Sequence, residues 1–324
     1  MKRLPACLAV ALLAVAGCTA LPGMGADVNP PGVEGGELAN ESTLLESHVD
    51  ERGDSYEVRN VYEETHSDTT TTDEERIVVA DGGVYVERES ATNGSTTSTL
   101  EAFANESFAA SRLDRGDGPD FGLGSRYSPG GSHGAARQSD LLRLADFQTA
   151  GTTTRDGERV ARLRADSFVE NASVDADLER ATLLVGEDGL VHELEYALSD
   201  YAGTDEFQHT VTLAASDVDA LPTPDWTADA RAELPTADLD VRTTSDGYIA
   251  IDHVGGDTFT ARVRVGDQLF TEEDFAEGQS LFVGQDGDTY ELGSLQQGGP
   301  VEGAVEITVE GVVNREHVTV NATG

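Results

Sequence analysis

Arg76-Ile77-Val78-Val79-Ala80-Asp81-Gly82-Gly83-Val84-Tyr85-Val86-Glu87-Arg88-Glu89 is the stretch whose reading decides the fold. Two runs of β-branched and aromatic residues flank an Asp-Gly turn, the strongest short-range signal for a β-hairpin. The same device returns at Ala181–Tyr201, with Glu187-Asp188-Gly189 as the turn. After that turn Leu190, His192, Leu194, Tyr196 and Leu198 are predicted to share one strand face, opposite Glu193 and Glu195. Phe207–Leu213 adds a further strand. These hairpins predict an antiparallel sheet as the main element of the chain's first two thirds.

Three amphipathic stripes predict helices on that sheet. Ser98-Thr99-Leu100-Glu101 has the form of a capping box, and Leu100, Phe103, Ala104 and Phe108 follow at helical spacing. Leu141, Leu144, Ala145 and Phe147 form a second stripe, and Leu38, Leu45 and Val49 a third. Residues 114–134 are Gly-rich and aperiodic and read as a long loop, as does the Thr-rich run 69–72, an O-glycosylation candidate. A break is expected between Leu221 and Pro235, where Pro222, Pro224 and Pro235 interrupt regular structure.

Beyond the break the pattern is nearly all β. Phe259, Ala261, Val263 and Val265 alternate with Arg262 and Arg264, and Val305, Ile307 and Val309 with Glu306, Thr308 and Glu310. Turns at Gly255-Gly256-Asp257, Gly266-Asp267 and Asp286-Gly287-Asp288 fall at sandwich-like intervals. The expected fold class is therefore α+β, mostly antiparallel β: a curved antiparallel sheet packed with a few helices, followed by an immunoglobulin-like β-sandwich. The expected divisions are a leader over 1–17, a Gly/Pro-rich tether over 18–36, an α+β domain over 37–230 and a β-sandwich domain over 231–324.

The N-terminus gives an address. Lys2 and Arg3 precede an almost unbroken apolar run from Leu4 to Ala16, which ends at Val15-Ala16-Gly17-Cys18. That is a secretory signal whose small-residue cleavage site leaves Cys18 as the new N-terminus. The apolar run is shorter than the ~20 residues that span a membrane. Cys7 leaves with the leader, so Cys18 stands alone and no disulfide within the mature chain can form. The site resembles the lipobox of exported lipoproteins, which implies lipid attachment at Cys18 and a place on the extracellular face of the cell membrane.

Charge narrows the setting. The chain has 61 acidic and 21 basic residues, a net charge of −40, and loses Lys2 and Arg3 with the leader. Lys2 is its only lysine. Molar salt, with a Debye length of ~3 Å, screens the self-repulsion of such a surface, so the composition predicts a secreted halophilic, haloarchaeal protein. A mean hydropathy of −0.33 with 38% apolar residues is enough for a core and argues against disorder. Clustered Lys and Arg are missing, which excludes nucleic acid as a partner. Five of the eight asparagines sit in Asn-x-Ser/Thr, namely Asn40, Asn93, Asn105, Asn171 and Asn321, and are glycosylation candidates on an extracellular surface.

Catalytic and metal signatures are weak. Gly130-Gly131-Ser132-His133-Gly134 matches a nucleophile elbow by letter, but Tyr127-Ser128-Pro129 precedes it where a strand is required. The seven histidines are scattered, with His192 expected as a hydrogen-bonded core residue. Asp114, Asp117 and Asp120, and Asp286 and Asp288, lack the closing glutamate of a calcium loop. No catalytic residue, metal or cofactor is assigned, and the chain is expected not to be an enzyme.

Two resemblances add to this reading. Over roughly residues 40–230, Asp81-Gly82-Gly83-Val84-Tyr85-Val86, Gly151-Thr152-Thr153-Thr154, Glu187-Asp188-Gly189-Leu190-Val191 and Pro224-Asp225-Trp226 resemble landmarks of haloarchaeal lipoproteins of unassigned function. Those look similar to bacterial lipoprotein carriers, in which a curved sheet wraps helices around an apolar cavity. Gly247-Tyr248-Ile249-Ala250-Ile251-Asp252-His253-Val254-Gly255-Gly256-Asp257-Thr258-Phe259 resembles the head of haloarchaeal type IV pilins, without the N-terminal apolar helix through which pilins polymerise. The resemblance implies a non-enzymatic binding protein for a lipid or other apolar ligand, with Phe103, Phe108, Leu141 and Leu144 helping to line the site. The alternative is a structural or adhesive surface module that contacts other cell-surface proteins through the sandwich.

Replacing Cys18 by Ser is expected to move the protein from the detergent-extracted membrane fraction to the medium. Retention of C18S in the membrane without detergent would contradict the lipobox assignment.

Overall fold

Ala80 pairs with Gly83 across a two-residue turn in which Asp81 (φ 50°) and Gly82 (φ 66°) both take left-handed conformations, as the twist of a tight hairpin requires. The structure is a computed structural model describing residues 28–123, 141–170, 172, 175–314 and 316–322. In chain order its elements begin with β1 (Val33–Glu34), β2 (Glu37–Leu38), α1 (Glu41–Arg52), β3 (Tyr56–His66), β4 (Thr69–Ala80), β5 (Gly83–Thr92), β6 (Ser95–Asn105), β7 (Phe108–Asp114) and β8 (Pro119–Leu123). A helical turn over 141–144 follows, then β9 (Gln148–Arg155), β10 (Glu158–Ala165), β11 (Asp177–Val185), β12 (Val191–Ser199), β13 (Glu206–Ser216) and α2 (Thr227–Glu233). The remainder is β14 (Ala237–Thr243), β15 (Ile249–Gly256), β16 (Phe259–Val265), β17 (Gln268–Phe275), β18 (Ser280–Asp286), β19 (Thr289–Gly293), β20 (Gly303–Glu310) and β21 (Glu316–Ala322).

The fold is mostly antiparallel β. Strands β1 to β13 form one 13-stranded sheet in the order β1-β2-β9-β10-β11-β12-β13-β3-β4-β5-β6-β7-β8. Two consecutive meanders, β3–β8 and β9–β13, meet where β13 pairs with β3 from Glu206↔Thr65 to Ser216↔Tyr56. The C-terminal region holds two four-stranded sheets, β14-β15-β18-β19 and β17-β16-β20-β21. Ile249, Ile251, Leu281 and Val283 of the first and Ala261, Val263, Val265, Ile307 and Val309 of the second belong to one buried cluster.

Several expectations need correction. Residues 98–108 are not helical: they are the end of β6, a turn and the start of β7. The period of two prevails, with Leu100, Ala102 and Ala104 facing one way and Glu101 and Phe103 the other. Asn105 Oδ1 accepts from the Ser107 N–H (3.0 Å) and closes the turn before Phe108. The Thr-rich run 69–72 opens β4, where β-branched residues fit the pleat. Within 114–134, Pro119 starts the edge strand β8, a position that needs no donor; residues 124–140, Ser132 among them, lie outside the described residues. Between Leu221 and Pro235 the prolines flank α2 rather than break it, and Thr227 Oγ1 donates to the Pro224 carbonyl (3.1 Å). A bulge between β11 and β12 shifts the expected strand face, so Val191 points into the core and His192 is only half-buried.

Residues 28–36, read above as tether, already belong to the body. Val28 packs into a core cluster, and β1 and β2 form a small hairpin at the sheet edge. Helix α1 appears as the stripe predicts, although Leu38 lies in β2 and the residues it buries are Leu44 and His48. Asn40 caps it by accepting from the Thr43 N–H at 3.1 Å, and Arg52 ends it with its guanidinium 3.8 Å over the Tyr56 ring. The β11–β12 turn seats against α1, because a β-carbon at Gly189 (φ +99°) would lie 2.5 Å from that of Ser47.

The two regions share a buried joint. Val313, fully buried on the loop before β21, accepts from the Ala109 N–H of β7 (3.0 Å) and donates to the Pro235 carbonyl (2.9 Å). Asn314 Oδ1 accepts from the Ala237 N–H at 3.0 Å, and its Nδ2 donates back to the Ala237 carbonyl at 2.5 Å.

His48 fastens α1 to the sheet. Its Nδ1 accepts from the Val191 N–H at 3.1 Å, so the bonded form is the neutral ring. Burial first, then the positive charge of Arg52 and the neighbouring His192, lower its pKa from 6.5 to about 4. The folded chain therefore binds fewer protons than the unfolded one between these values, and this stability is complete above pH ~6.5 and lost as pH falls through ~4. Denaturant titrations are expected to show the wild type losing about 3 kcal/mol more than His48→Gln between pH 7 and 4. Parallel pH profiles for the two proteins would contradict this role.

Candidate functional site

Strand register assigns every side chain of the large sheet to one of two faces. Val58↔Ile77, Ile77↔Val86 and Val86↔Ala102 run across β3 to β6, and Val58↔Leu213 continues them onto β13. Leu194↔Val211 carries the same face onto β12, and Leu183↔Leu194 onto β11. This inner face holds two apolar clusters. One, over β10–β13, is covered by Leu44 and Leu45 of α1, by Leu141, Leu142, Ala145 and Phe147, and by Val28. The other comprises Tyr56, Val58, Ile77, Val79, Val84, Val86, Ala102, Ala104, Ala109 and Val211, packed with Leu213. Every member of that second cluster lies on a strand of the sheet itself and is 0–7% exposed; from α1, Arg52 reaches over the ring of its member Tyr56.

A polar seam separates the clusters. Tyr62 of β3 stacks on His209 of β13 with ring centroids 4.1 Å apart, and Tyr196 meets His209 edge-on, its hydroxyl 3.1 Å from Nδ1. Next to it Asn60, 1% exposed, donates from Nδ2 to Glu75 Oε2 (3.0 Å), while its Oδ1 is buried without a partner among the described residues. An unsatisfied buried acceptor costs ~1–3 kcal/mol, so the seam is poised to take a donor.

The outer face is different. Over β3–β5 it bears ion pairs such as Glu57 with Arg59 and Arg76, where the Arg76 guanidinium holds the Glu57 carboxyl below its ordinary pKa. Over β4–β8 it turns apolar: Val78, Tyr85, Phe103, Phe108 and Ala110 pack with Trp226 and Ala230 of the α2 segment and with Val313. Arg231 lies 4.6 Å over the Phe108 ring.

The four residues expected to line one ligand site are therefore not brought together. Phe103 and Phe108 face outward into the joint with the C-terminal region. Leu141 belongs to the inner cluster, and Leu144 is half-buried beside it. Helical spacing hid this, because the strand period sends Phe103 away from Ala102 and Ala104. The seam residues Asn60, Tyr62, Tyr196 and His209 carried no motif; the alternation Tyr56-Val58-Asn60-Tyr62 was the available signal.

The sequon asparagines that the structure describes share a geometry. Asn40 caps α1, Asn93 (φ 49°) sits at the β5–β6 tip and accepts from the Thr70 N–H at 2.9 Å, and Asn105 closes the β6–β7 turn. Each uses Oδ1, and Nδ2, the atom that carries an N-glycan, makes no hydrogen bond among the described residues. Asn171 and Cys18 lie outside the described residues, as does the side chain of Asn321. His48, His209 and His253 are the buried histidines among the described residues, and His192 is not one of them. Among the described residues no group of three or more His, Cys, Asp or Glu is disposed to hold a metal, and no helix is long and apolar enough to cross a membrane. No protein-family model matches the chain, and no curated protein is similar to it in sequence.

Phe108→Ala is expected to cost about 3–5 kcal/mol of stability, as for other buried aromatics, without changing any ligand that co-purifies. A loss of bound ligand with unchanged denaturation midpoint would return Phe108 to the binding site.

Proposed function

We propose that the protein is a non-enzymatic binding protein, anchored through a lipid on Cys18 to the extracellular face of a halophile's cell membrane, that holds a lipid or other apolar ligand on the inner face of its large sheet. The observation that carries this reading is the inner cluster from Tyr56 to Val211, whose apolar members all come from six strands of one sheet face. Its members are 0–7% exposed, so the face is closed in the structure, and a ligand would lie there by taking the place of what covers it. An acyl chain supplies apolar neighbours without polar groups, and the Asn60–His209 seam would meet the polar end of such a ligand.

The finer fold belongs to the same proposal. The large sheet is read as curved around the inner cluster, and the two C-terminal sheets, which share one core, as an immunoglobulin-like sandwich starting near residue 231. Haloarchaeal origin, N-glycans on the sequons and the likeness to carrier-type lipoproteins and to pilin heads complete the reading. The second reading, a structural or adhesive surface module, is favoured by one observation: the joint at Val313 fixes the C-terminal region to the sheet through backbone hydrogen bonds.

Mass spectrometry of the organic extract of the full chain, purified in molar salt from a haloarchaeal host, tests the binding reading. One lipid per protein is expected, lost in Leu213→Glu, whose side chain is only half-buried, and retained in the outer-face variant Thr212→Glu. A compact, empty protein that also fails to take up added lipid would favour the surface-module reading.

A further inference from the structure

Strand β9 is an edge of the large sheet that its neighbours leave mostly open. On one side it pairs with β10 from Arg155↔Glu158 to Gln148↔Arg164. On the other, β2 reaches only its start, through Glu37↔Gln148 and the Thr149 N–H on the Gly36 carbonyl (2.7 Å). From Ala150 to Arg155, about the length of an ordinary strand, no strand among the described residues pairs with the outward edge. Edge strands are usually blunted by proline, by charge or by a covering element. The opposite edge, β8, starts at Pro119, and its Phe121 and Leu123 pack into the cluster around Trp226. At an edge of the C-terminal sheets, β17 carries Glu272, Glu273 and Asp274. Ala150–Arg155 has no proline and no acidic residue. We infer that this edge receives an extended acidic segment of a partner protein, added to the sheet as one more strand. The inference concerns the edge rather than the inner face and does not rest on the lipid reading.

The side chains beside the edge set the partner's chemistry. Leu163 belongs to the inner core, so Arg162 and Arg164 of β10 stand on the outer face. Neither has an ion pair among the described residues, in a chain with 61 acidic residues to 21 basic ones. Glu193 is held by Arg155 (2.6 Å) and Glu195 by Arg180 (3.1 Å), so these carboxylates do not neutralise them. Gly151 pairs with Arg162 and stands between it and the edge, and a β-carbon there would meet nothing within 4 Å. An added strand would lie two spacings, roughly 9–10 Å, from β10, a gap that an arginine and a glutamate side chain span together. Arg–carboxylate contacts keep their directional bonds in molar salt, while longer-range attraction is screened. On the inner side Thr152 pairs with Ala161 of the core, so alternate residues of the partner lie beside Thr152 and Thr154, where β-branched side chains fit. A second copy paired through its own β9 would bring the two sets of arginines together, which like charge opposes. The segment that fits therefore alternates carboxylates with β-branched residues.

The full chain in molar salt is titrated into a fluorescein-labelled peptide, Thr-Val-Glu-Val-Glu-Val-Thr, and anisotropy is followed. A saturable rise is expected. Peptides with lysine in place of glutamate, or with proline in place of the central valine, are expected to give none. Arg162→Glu combined with Arg164→Glu is expected to weaken binding about tenfold, and Arg59→Glu, on a distant strand of the same face, to leave it unchanged. Hydrogen exchange supplies a readout that needs no variant: the amides of Ala150–Arg155 exchange fast in the protein alone and are protected by the peptide. No saturable binding would overturn the inference, as would equal binding of the lysine or proline peptide, or unchanged affinity in the double variant. Protection of Ala150–Arg155 in the protein alone would also overturn it, by showing the edge filled by this chain or a second copy.

Discussion

From Glu206↔Thr65 to Ser216↔Tyr56, strands β13 and β3 join two meanders that are far apart in sequence. Each meander forms from neighbouring hairpins, but which faces of the two coincide is decided at this seam. Register in a sheet has a period of two, so a slip by one residue would exchange inner and outer faces across half of the molecule. Such a slip would bring the alignment Tyr62–His209 and Asn60–Val211 to an end and face the apolar residues of β3–β7 opposite the charged side of β12. The stacked Tyr62 and His209 rings lie on the joining strands themselves. They give the pairing a side-chain reason as well as a backbone one.

With the faces set, each is finished by a different neighbour. The inner face of β10–β13 is covered by α1 and residues 141–147. The outer face of β4–β8 is covered by α2 and Val313, which locks the C-terminal region to the sheet. Elsewhere the outer face is lined by carboxylates and arginines in cross-strand pairs, for example Arg180 with Glu195 at 3.1 Å. Exposed pairs of this kind contribute little, and less in molar salt, so the packing of the two faces holds the sheet together while its charge keeps it soluble.

What the sequence made legible was local. The hairpins at 76–89 and 181–201 were readable because Asp-Gly turns and β-branched runs act over a few residues, and alternation did the same for β16 and β20. The 98–108 segment was misread because Leu100, Phe103, Ala104 and Phe108 fit both a helix and two strands joined by a turn, and only the sheet neighbours Tyr85 and Ala110 decide between them. The candidate site was the least legible part. Asn60, Tyr62, Tyr196 and His209 come from three strands, and nothing local announces their meeting. Trp226 appeared in the sequence only as a landmark of a closing segment, whereas its role in the joint depends on β7, β8 and the C-terminal loop.

The central claim is that the inner face over β3–β7 takes an apolar ligand that is not part of the protein. A crystal structure of the full chain, purified without detergent or solvent extraction from a haloarchaeal host, tests it most directly. Continuous density for an acyl chain is expected along Val58, Ile77, Val86 and Ala102, with its polar end near Asn60 and His209. Density showing that face filled entirely by the protein's own side chains would contradict it.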